Sequence, residues 1–247
     1  MNKNYFDCWS QEMSYILGFI FADGSITKNG MSDRMSIGLC TDDEKTLRWI
    51  GNCLDYQNKF YIHKKMIILT ISSKYLVDSL KNLGVVHRKS FLDPDFPKIP
   101  IEYKASFLRG YFDGDGSIFK TGQGYYKITV VGSPKFLQGY ANACSELANI
   151  KNIKIAPCQI SIAYMYNLGD MSDIKSFAEK IYMQTGPTPM IRKLNVIKDA
   201  YQHCQKKLIK KGIGKHNGKW RVRIAGKHVG HFNSFEAAVE AKEKFLI

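Results

Sequence analysis

One short pattern occurs twice in the chain and constrains its fold more than any other feature. The first copy is Tyr15-Ile-Leu-Gly-Phe-Ile-Phe-Ala-Asp-Gly24, and the second is Phe107-Leu-Arg-Gly-Tyr-Phe-Asp-Gly-Asp-Gly116. Each copy is an apolar stretch with small residues four positions apart, and each ends in Asp-Gly. Positions i and i+4 share one face of a helix, so each copy presents a bare stripe against which another helix can pack closely. The repeat therefore predicts two helices in contact, related by a pseudo-twofold axis.

The acidic residue of each copy is expected at the end of its helix. Gly24 and Gly116 suit the left-handed position that often follows a helix C-terminus, which puts Asp23 and Asp115 in the last turn. Two carboxylates about 4 Å apart near a surface repel by roughly 4 kcal/mol, and the helix dipoles add to this repulsion. A hard divalent cation removes the cost, and oxygen-only ligation favours Mg²⁺, for which Mn²⁺ can substitute. We therefore expect Asp23 and Asp115 to bind a metal that supports phosphodiester hydrolysis.

Two simpler interpretations apply to the motifs. A glycine-containing apolar helix on its own is more often plain core packing, but recurrence in one chain favours a functional site. The run Asp113-Gly-Asp115-Gly-Ser117 is also typical of the start of an EF-hand loop. That loop needs glycine at its sixth position and glutamate at its twelfth, where this chain has Ile118 and Gly124. The sequence therefore excludes an EF-hand.

The two motifs resemble the signature of the LAGLIDADG homing endonucleases in their two-motif, single-chain form. The resemblance implies a monomeric, site-specific endonuclease that cuts double-stranded DNA at a long, imperfectly palindromic target and leaves 3′ overhangs. It also implies that the penultimate acid of each motif, Asp23 or Asp115, is a catalytic metal ligand. The sixth motif position is Phe21 in the first copy and Asp113 in the second, and the family tolerates variation there.

Each half of the chain closes with a basic pair, Arg88-Lys89 or Arg192-Lys193. In the resembled family, a lysine at this point in each half supports the attacking water or the developing phosphate charge. The resemblance therefore implicates Lys89 and Lys193 in catalysis. The alternative, that a basic protein simply has many lysines, remains open.

The same order of elements returns after each motif, which predicts an α+β fold. We expect two pseudo-symmetric αββαββα half-domains, residues 1–102 and 103–200, that together form a saddle. The elements expected after the first motif are a strand at 35–39, a helix capped by Asp42, a hairpin over 59–71 turning near Lys64, and a helix at 73–83. Those expected after the second motif are a strand at 127–131, a helix capped by Ser133, a hairpin over 154–166, and a helix at 171–183.

Alternation along the strands predicts which sheet face meets DNA. Ile26, Met35, Ile37 and Leu39 would pack under the helices, and the side chains between them would face outward. A β-ribbon fits the major groove, where such side chains can read base edges. The predicted contacts are Ser25, Thr27, Lys28, Arg34, Ser36, Lys59, Tyr61 and His63 in the first half and Ser117, Lys127 and Thr129 in the second. For any single residue, a merely solvated position is the alternative.

The C-terminal part of the chain is its most basic region. Residues 203–247 carry 11 Lys/Arg against 3 Asp/Glu, within a chain of formal net charge +14, and this excess indicates a polyanionic partner. Residues 201–211 are predicted to be a basic linker. Residues 212–247 are predicted to form a small domain, a three-stranded sheet with one helix capped by Ser234.

The last segment also resembles a known DNA-binding domain. The string Gly218-Lys-Trp220, Gly230-His-Phe232 and Phe235-Glu-Ala-Ala238 is similar to the Apetala-type (ethylene-response-factor) domain. The resemblance implies that the sheet enters the major groove. It names as contacts Arg221, Arg223, Lys227 and His228. The alternative is a basic, helix-covered hairpin that binds DNA without sequence preference.

Cysteine usage and hydropathy limit the compartment. The six cysteines show no C-x-x-C spacing, so they indicate neither a zinc site nor a disulfide scaffold, and we expect reduced core residues. The apolar run of residues 15–22 is too short to cross a bilayer, and the N-terminus lacks a signal peptide's apolar region. We expect an intracellular protein without a membrane partner, cytoplasmic in a bacterial or phage context or organellar, and not secreted.

Two functions from other classes remain open. The same scaffold could serve as a maturase-like protein that binds intron RNA, or as a regulator that binds DNA without cutting it. Because both motif acids and both lysines are present, the sequence favours cleavage.

Overall fold

The computed structural model describes residues 1–29, 32–87, 93–158, 163–184, 186–187 and 190–246. The chain forms two compact units, Met1–Ala200 and Tyr201–Ile247. The first unit repeats one order of elements, αββαββα, and the predicted α+β architecture is confirmed. Its first copy consists of α1 (Gln11–Asp23), β1 (Gly24–Asn29), β2 (Ser32–Cys40), α2 (Glu44–Cys53), β3 (Tyr61–His63), β4 (Met66–Ser72) and α3 (Lys74–Asn82). Its second copy consists of α4 (Ile101–Asp115), β5 (Gly116–Lys120), β6 (Tyr126–Gly132), α5 (Pro134–Ala148), β7 (Ile155–Pro157), β8 (Tyr164–Leu168) and α6 (Met171–Phe177).

Each half contains a four-stranded antiparallel sheet with the same strand order. The orders are β1-β2-β4-β3 and β5-β6-β8-β7. The registers also correspond, because Gly24 pairs with Ile37 in the first sheet and Gly116 pairs with Val130 in the second. The predicted inward-facing residues of the first sheet are all buried: Ile26, Met35, Ile37 and Leu39. Strand alternation is thus a reliable guide to the core of this unit.

Close packing of α1 against α4 forms the centre of the first unit. Every residue from Met13 to Ala22 is buried, as expected for a helix that is apolar on almost every side. A Cβ atom on Gly18 would lie 2.1 Å from the Phe107 carbonyl oxygen, and one on Gly110 would lie 2.0 Å from that of Tyr15. Only glycine fits at these two positions, because a methyl group would overlap the main chain of the other helix. The predicted helix pair is present, and its two contacts are reciprocal.

The glycines after the motif acids have a different purpose from the predicted one. Gly24 has φ −77° and Gly116 has φ −96°, so both are extended and the expected left-handed conformation is wrong. The chain passes from each helix directly into a strand without a turn. Here glycine is needed for space, because a Cβ atom would lie 2.6 Å from the Ile20 oxygen or 2.5 Å from the Phe112 oxygen.

Several helix ends also differ from the prediction. Asp42 lies in a 3₁₀ turn, Thr41–Asp43, that precedes α2, and it does not cap that helix. Ser133 is the N-cap residue of α5, with proline at the first helical position, as predicted, but its side chain makes no cap hydrogen bond. The last predicted helix of the second half divides into α6 and a π-helical turn, Ala178–Tyr182. A π turn inside a helix often accompanies a functional site.

The cysteines are all free, but they are not all core residues. Cys144 and Cys204 are buried, whereas Cys8 is exposed and the other three are half-buried. The core prediction is therefore wrong for four of the six. No helix in the described part of the chain is both long and apolar enough to cross a membrane.

The second unit contains a three-stranded antiparallel sheet and a helix. Helix α7 (Ile191–Lys210) crosses the boundary between the units, so most of the segment predicted as a linker is helical. The remaining elements are β9 (Ile213–His216), β10 (Lys219–Ile224), β11 (Lys227–Phe232) and α8 (Phe235–Leu246). Ala225 and Gly226, with φ 47° and 83°, close the hairpin between β10 and β11. Ser234 accepts a hydrogen bond from the Ala237 amide and caps α8, as predicted.

Candidate active site and nucleic-acid interface

The two motif acids lie at the ends of neighbouring helices. Asp23 and Asp115 are the last residues of α1 and α4, and both are half-buried. A Cβ atom on Gly114 would lie 2.9 Å from Asp23 Oδ2, so the Asp23 carboxylate is next to the last turn of α4. The structure thus brings the two predicted metal ligands into one small region.

Tyr111, which the sequence interpretation missed, lies beside both acids. Its hydroxyl donates a hydrogen bond to the Val131 carbonyl oxygen at 2.9 Å. Burial raises the pKa of Tyr111 well above its ordinary value, and the neighbouring Asp115 and then Asp23 raise it further. Because both carboxylates act on one hydroxyl, their negative charges converge. The sequence signal that could have identified this residue was a tyrosine four positions before Asp115 on the same predicted helix.

The groups at this position fit a hard divalent cation. The two carboxylates supply oxygen ligands only, and the carbonyl ends of two helices add partial negative charge. In the described parts of the chain, no group of three or more His, Cys, Asp and Glu residues is arranged to hold a metal ion. A cation here would therefore take its other ligands from water and phosphate, as Mg²⁺ commonly does.

Lys193 supports the end of the helix that carries Asp115. The residue, which is 6% exposed, lies in the first turn of α7. It donates three hydrogen bonds, to the carbonyl oxygens of Phe112 at 2.8 Å, Asp113 at 2.7 Å and Gly116 at 2.6 Å. These bonds use all three donors of the ammonium group and offset the negative end of α4. Burial lowers the pKa of Lys193 to about 8, although Asp113 and Asp23 favour its charged form.

The other members of the two basic pairs have separate positions. Lys89 and Arg88 lie outside the described residues. Arg192 forms a two-point ion pair with Asp43 in the first half, at 2.8 Å and 2.7 Å. Of the second basic pair, therefore, Lys193 binds the end of α4 and Arg192 binds the first half of the unit.

Asp113 is the most deeply buried carboxylate near the site, and the sequence interpretation gave it no role. It is 1% exposed and accepts hydrogen bonds from the hydroxyls of Tyr15 and Tyr182, both at 2.6 Å. Burial raises the pKa of Asp113 to about 6, while the two hydroxyls favour its charged form. Tyr15 belongs to the first half and Tyr182 to the π turn of the second, so this carboxylate joins the two halves.

Arg109 is a second buried charge on α4, one turn before Asp113. Its guanidinium group donates to the Ile181 carbonyl oxygen at 3.1 Å and to that of Pro187 at 2.9 Å. Burial lowers the pKa of Arg109, and the charge of Asp113 raises it. Arg109 therefore fixes the π turn that presents Tyr182 to Asp113.

The pseudo-twofold axis relates two contacts of different chemistry. Asp113 at the sixth position of the second motif contacts Tyr15, the first residue of the other motif. At the equivalent place, Phe21 contacts Phe107, with ring centroids 5.4 Å apart. In one contact a carboxylate accepts a hydrogen bond from a hydroxyl, and in the other two aromatic rings pack together.

The sheet faces opposite the helices carry matching polar rows. In the first sheet, Ser25, Ser36 and Thr70 are paired in register across β1, β2 and β4. In the second sheet the equivalent row is Ser117, Thr129 and Asn167. The sequence interpretation missed Thr70 and Asn167, because strand register sets their places in the rows.

The remaining predicted contacts of the first sheet are divided between its faces. Thr27 and Arg34 pair with each other on the polar face, and Tyr61 and His63 lie there with parallel rings 6.3 Å apart. Lys28 is on the opposite face, because it follows Thr27 by one residue and pairs with Asp33. Lys59 is exposed just before β3.

The second sheet presents its predicted contacts unevenly. Ser117 is exposed and Lys127 is half-buried. Thr129 is only 8% exposed, and its hydroxyl lies 2.6 Å from that of Ser117. Ser117 is therefore the more accessible member of this hydroxyl pair.

In the second unit, helix α8 covers one face of the sheet. Trp220 packs against Phe235 of α8 with ring centroids 5.1 Å apart, and Val222, two residues further along β10, is fully buried. Arg221 and Arg223 alternate with these residues and project from the other face. The residue paired with Arg223 is His228, whereas Lys227 pairs with Ile224 at the turn on the side of α8.

Comparison with known proteins identifies the fold of the first unit. Residues 102–182 match the family described as LAGLIDADG-like domain. A search of curated proteins gives no match. The meganuclease I-SmaMI bound to uncleaveable DNA is a structural match with a TM-score of 0.54 and 13% identity, over 82% of this chain and 92% of that chain.

Two other solved structures agree. Mesophilic variants of the homing endonuclease I-DmoI match with a TM-score of 0.55 and 16% identity, over 76% of this chain and 97% of that chain. The LAGLIDADG meganuclease I-AabMI bound to uncleaved DNA matches with a TM-score of 0.52 and 13% identity, over 78% and 91%. The chain therefore has the fold of single-chain LAGLIDADG meganucleases, with a LAGLIDADG-like domain at residues 102–182.

Proposed function

We propose that this protein is a site-specific endonuclease that cuts double-stranded DNA with the help of a divalent metal. The observation that carries the proposal is the convergence of Asp23 and Asp115 at the paired ends of α1 and α4. Each acid comes from one half, and each half has its own sheet with a polar face. Two equivalent half-sites on one chain suit a monomer acting on a long, imperfectly palindromic duplex.

The motif carboxylates would hold Mg²⁺, or Mn²⁺ in its place. When bound, such a cation supplies activation of water and stabilisation of the leaving oxygen. Lys193 keeps the carbonyl end of α4 in place and adds positive charge near Asp23. Tyr111 fixes β6, through its bond to the Val131 carbonyl oxygen.

The two polar rows would lie along the major groove. Hydroxyl and amide side chains at this spacing can bond to base edges, and exposed basic residues next to them can neutralise phosphates. We also propose that the second unit is a nucleic-acid-binding module of the Apetala type, with Arg221, Arg223 and His228 as contacts. A protein with these parts fits the role of a homing endonuclease encoded by an intron or another mobile element.

Plasmid cleavage tests the proposal. The substrate is a supercoiled plasmid that carries the gene's flanking DNA joined across the element, because a homing enzyme usually cuts its own insertion site. With Mg²⁺ we expect a linear product from the natural protein and none from the Asp23→Asn, Asp115→Asn double variant. A matched control is Asp78→Asn, which changes an exposed carboxylate on α3 that pairs with Lys74 and should leave cleavage intact.

Each outcome tests a different part of the proposal. Cleavage that survives the double substitution shows that the motif acids are not the metal ligands. Cleavage that survives a chelator shows that no divalent metal is needed. Binding of the plasmid target without any cutting, with Mg²⁺ or Mn²⁺, supports a regulator in place of a nuclease.

A further inference from the structure

One face of the sheet of the second unit carries Lys, Arg and His side chains and no acidic ones. Lys219, Arg221 and Arg223 point away from α8, since Trp220 and Val222 between them face it. Each of the three is paired in register with a histidine on a neighbouring strand: His216, His231 and His228. We call these six residues the imidazole face.

The three histidines form a cluster. The ring centroid of His231 lies 4.7 Å from that of His228 and 5.5 Å from that of His216. All three residues are exposed. The pKa of His231 is below its ordinary value, first because of partial desolvation and then because of the positive neighbours His228, His216, Arg221 and Lys219.

No negative side chain belongs to this face. The stretch from Ile213 to Phe232, which contains all three strands, has no Asp or Glu. Lys215 lies on the other side, with its ammonium group over the Trp220 ring at 5.4 Å. The charged residues of α8, which packs on that other side, are Glu236, Glu240, Lys242, Glu243 and Lys244.

On the free face, desolvation and then the surrounding positive charge favour the neutral form of the His231 ring. A phosphate backbone placed on the face would reverse this balance, because negative charge favours the protonated ring. A protonated imidazole donates from both nitrogens, and each new charge adds to the attraction. Binding and protonation are then linked, so each must strengthen the other.

We propose that the imidazole face is a proton-coupled binding surface for the phosphate backbone of DNA. Duplex binding draws protons onto His216, His228 and His231, and the affinity of the protein for DNA rises as the pH falls through neutrality. The inference rests on the proposed function to the extent that DNA is the polyanion. The described residues include no group of three or more His, Cys, Asp and Glu side chains placed to hold a metal ion.

The test is a titration of the full chain with a short DNA duplex of mixed sequence, without divalent metal and at one fixed ionic strength. Each proton taken up on binding changes the affinity by up to about tenfold per pH unit. For the natural protein we expect the dissociation constant to be at least about tenfold lower near pH 6 than near pH 8. The His216→Gln, His228→Gln, His231→Gln triple variant should change less than about threefold over the same range.

Three further variants make the readout specific. His231→Gln alone, which removes the central ring and leaves two imidazoles, should lose about half of the logarithmic pH effect. Arg221→Gln should weaken binding at both pH values and keep the difference between them. His87→Gln is the matched control, because it removes an exposed histidine of the first unit. It should behave like the natural protein.

The results distinguish this inference from the proposed function. If the triple variant keeps the full pH effect while the natural protein binds and cuts DNA, the inference is wrong and the proposed function stands. If the natural protein binds no mixed-sequence duplex at either pH, the inference fails, and the proposed function is decided by the plasmid cleavage experiment alone. A proton NMR titration gives an independent check, because the imidazole pKa values must rise when duplex is added, and unchanged values overturn the coupling.

Discussion

The two halves of the first unit share a backbone plan but differ in the side chains that meet where α1 packs against α4. We call this helix contact the seam. Gly18 and Gly110 make the same close approach to the other helix, 2.1 Å and 2.0 Å for a hypothetical Cβ atom. The sixth motif positions do not match, because Phe21 packs against aromatic rings where Asp113 is bonded to two tyrosines. The geometry of the helix pair is therefore symmetric, whereas its electrostatics are concentrated in the second half.

This difference shows which requirements the fold imposes. Helix contact leaves room only for glycine, so both copies must have it. The sixth position only has to be filled and, if polar, satisfied by hydrogen bonds, and so the copies can diverge. Four experiments test how far the symmetry extends.

The largest effect is expected from removing one motif acid at a time. If each half acts on one strand, Asp23→Asn and Asp115→Asn should each slow the cutting of a different strand about 1000-fold, or about 4 kcal/mol in activation free energy. A duplex labelled separately on each strand measures this. Equal loss on both strands from either variant would show a shared centre in place of two half-sites.

The next effect concerns the seam itself. Gly18→Ala and Gly110→Ala should each lower the free energy of unfolding by about 3 to 4 kcal/mol, because the new methyl group overlaps the opposite main chain. Urea unfolding measures the change. Gly122→Ala, at an open position with no atom within 4 Å, is the control and should stay within about 0.5 kcal/mol. Unequal losses at the two seam glycines would contradict the reciprocal packing.

The buried carboxylate should make the second half sensitive to pH. The folded pKa of Asp113, about 6, exceeds the ordinary value of 3.8, so ionisation counts against the folded state as the pH rises through this window. The difference corresponds to about 3 kcal/mol above pH 6, a cost that is absent below pH 4. Relative to the natural protein, Asp113→Asn should therefore gain about 3 kcal/mol of stability between pH 4 and pH 7.

Denaturant unfolding of both proteins at the two pH values gives this difference. Phe21→Leu provides the comparison in the first half, since an apolar substitution there should produce a loss that is the same at both values. A relative gain of less than about 1 kcal/mol for Asp113→Asn would mean that the carboxylate is not held in a raised-pKa environment.

The smallest effect is expected at the ion pair between the halves. Arg192→Ala removes the two-point contact with Asp43, but the Arg192 side chain is 58% exposed and screened by solvent. The loss should be about 1 kcal/mol or less and should shrink as salt is added. A loss above about 2 kcal/mol that salt does not reduce would show that this contact holds the halves together.

Much of the fold follows from local pattern. The order of helices and strands, both hairpins and the buried strand residues could be predicted, because alternation and periodicity are properties of neighbouring residues. The face of Lys28 was also available from the sequence, since a residue next to Thr27 must point the other way. Lys28 was assigned to the polar face because it is charged, although strand alternation places it on the other face.

The candidate site was only partly predictable. The partners of Asp113 lie 98 and 69 residues away, and no spacing in the sequence connects them. The position of Lys193 beside the motif was expected, but its three carbonyl contacts depend on how α7 meets the end of α4. The conformation of Gly24 and Gly116 was missed because the helices lead directly into strands.

The reciprocal contacts at the sixth motif position also limit how the halves could be exchanged. In a hypothetical protein made from two copies of the second half, Asp113 would face Phe107 in place of Tyr15. Its carboxylate would then keep one of two hydroxyl donors while remaining buried. In two copies of the first half, Phe21 would meet the hydroxyl-bearing ring of Tyr15. A functional exchange would therefore have to move the residues at positions 15, 21, 107 and 113 as one set.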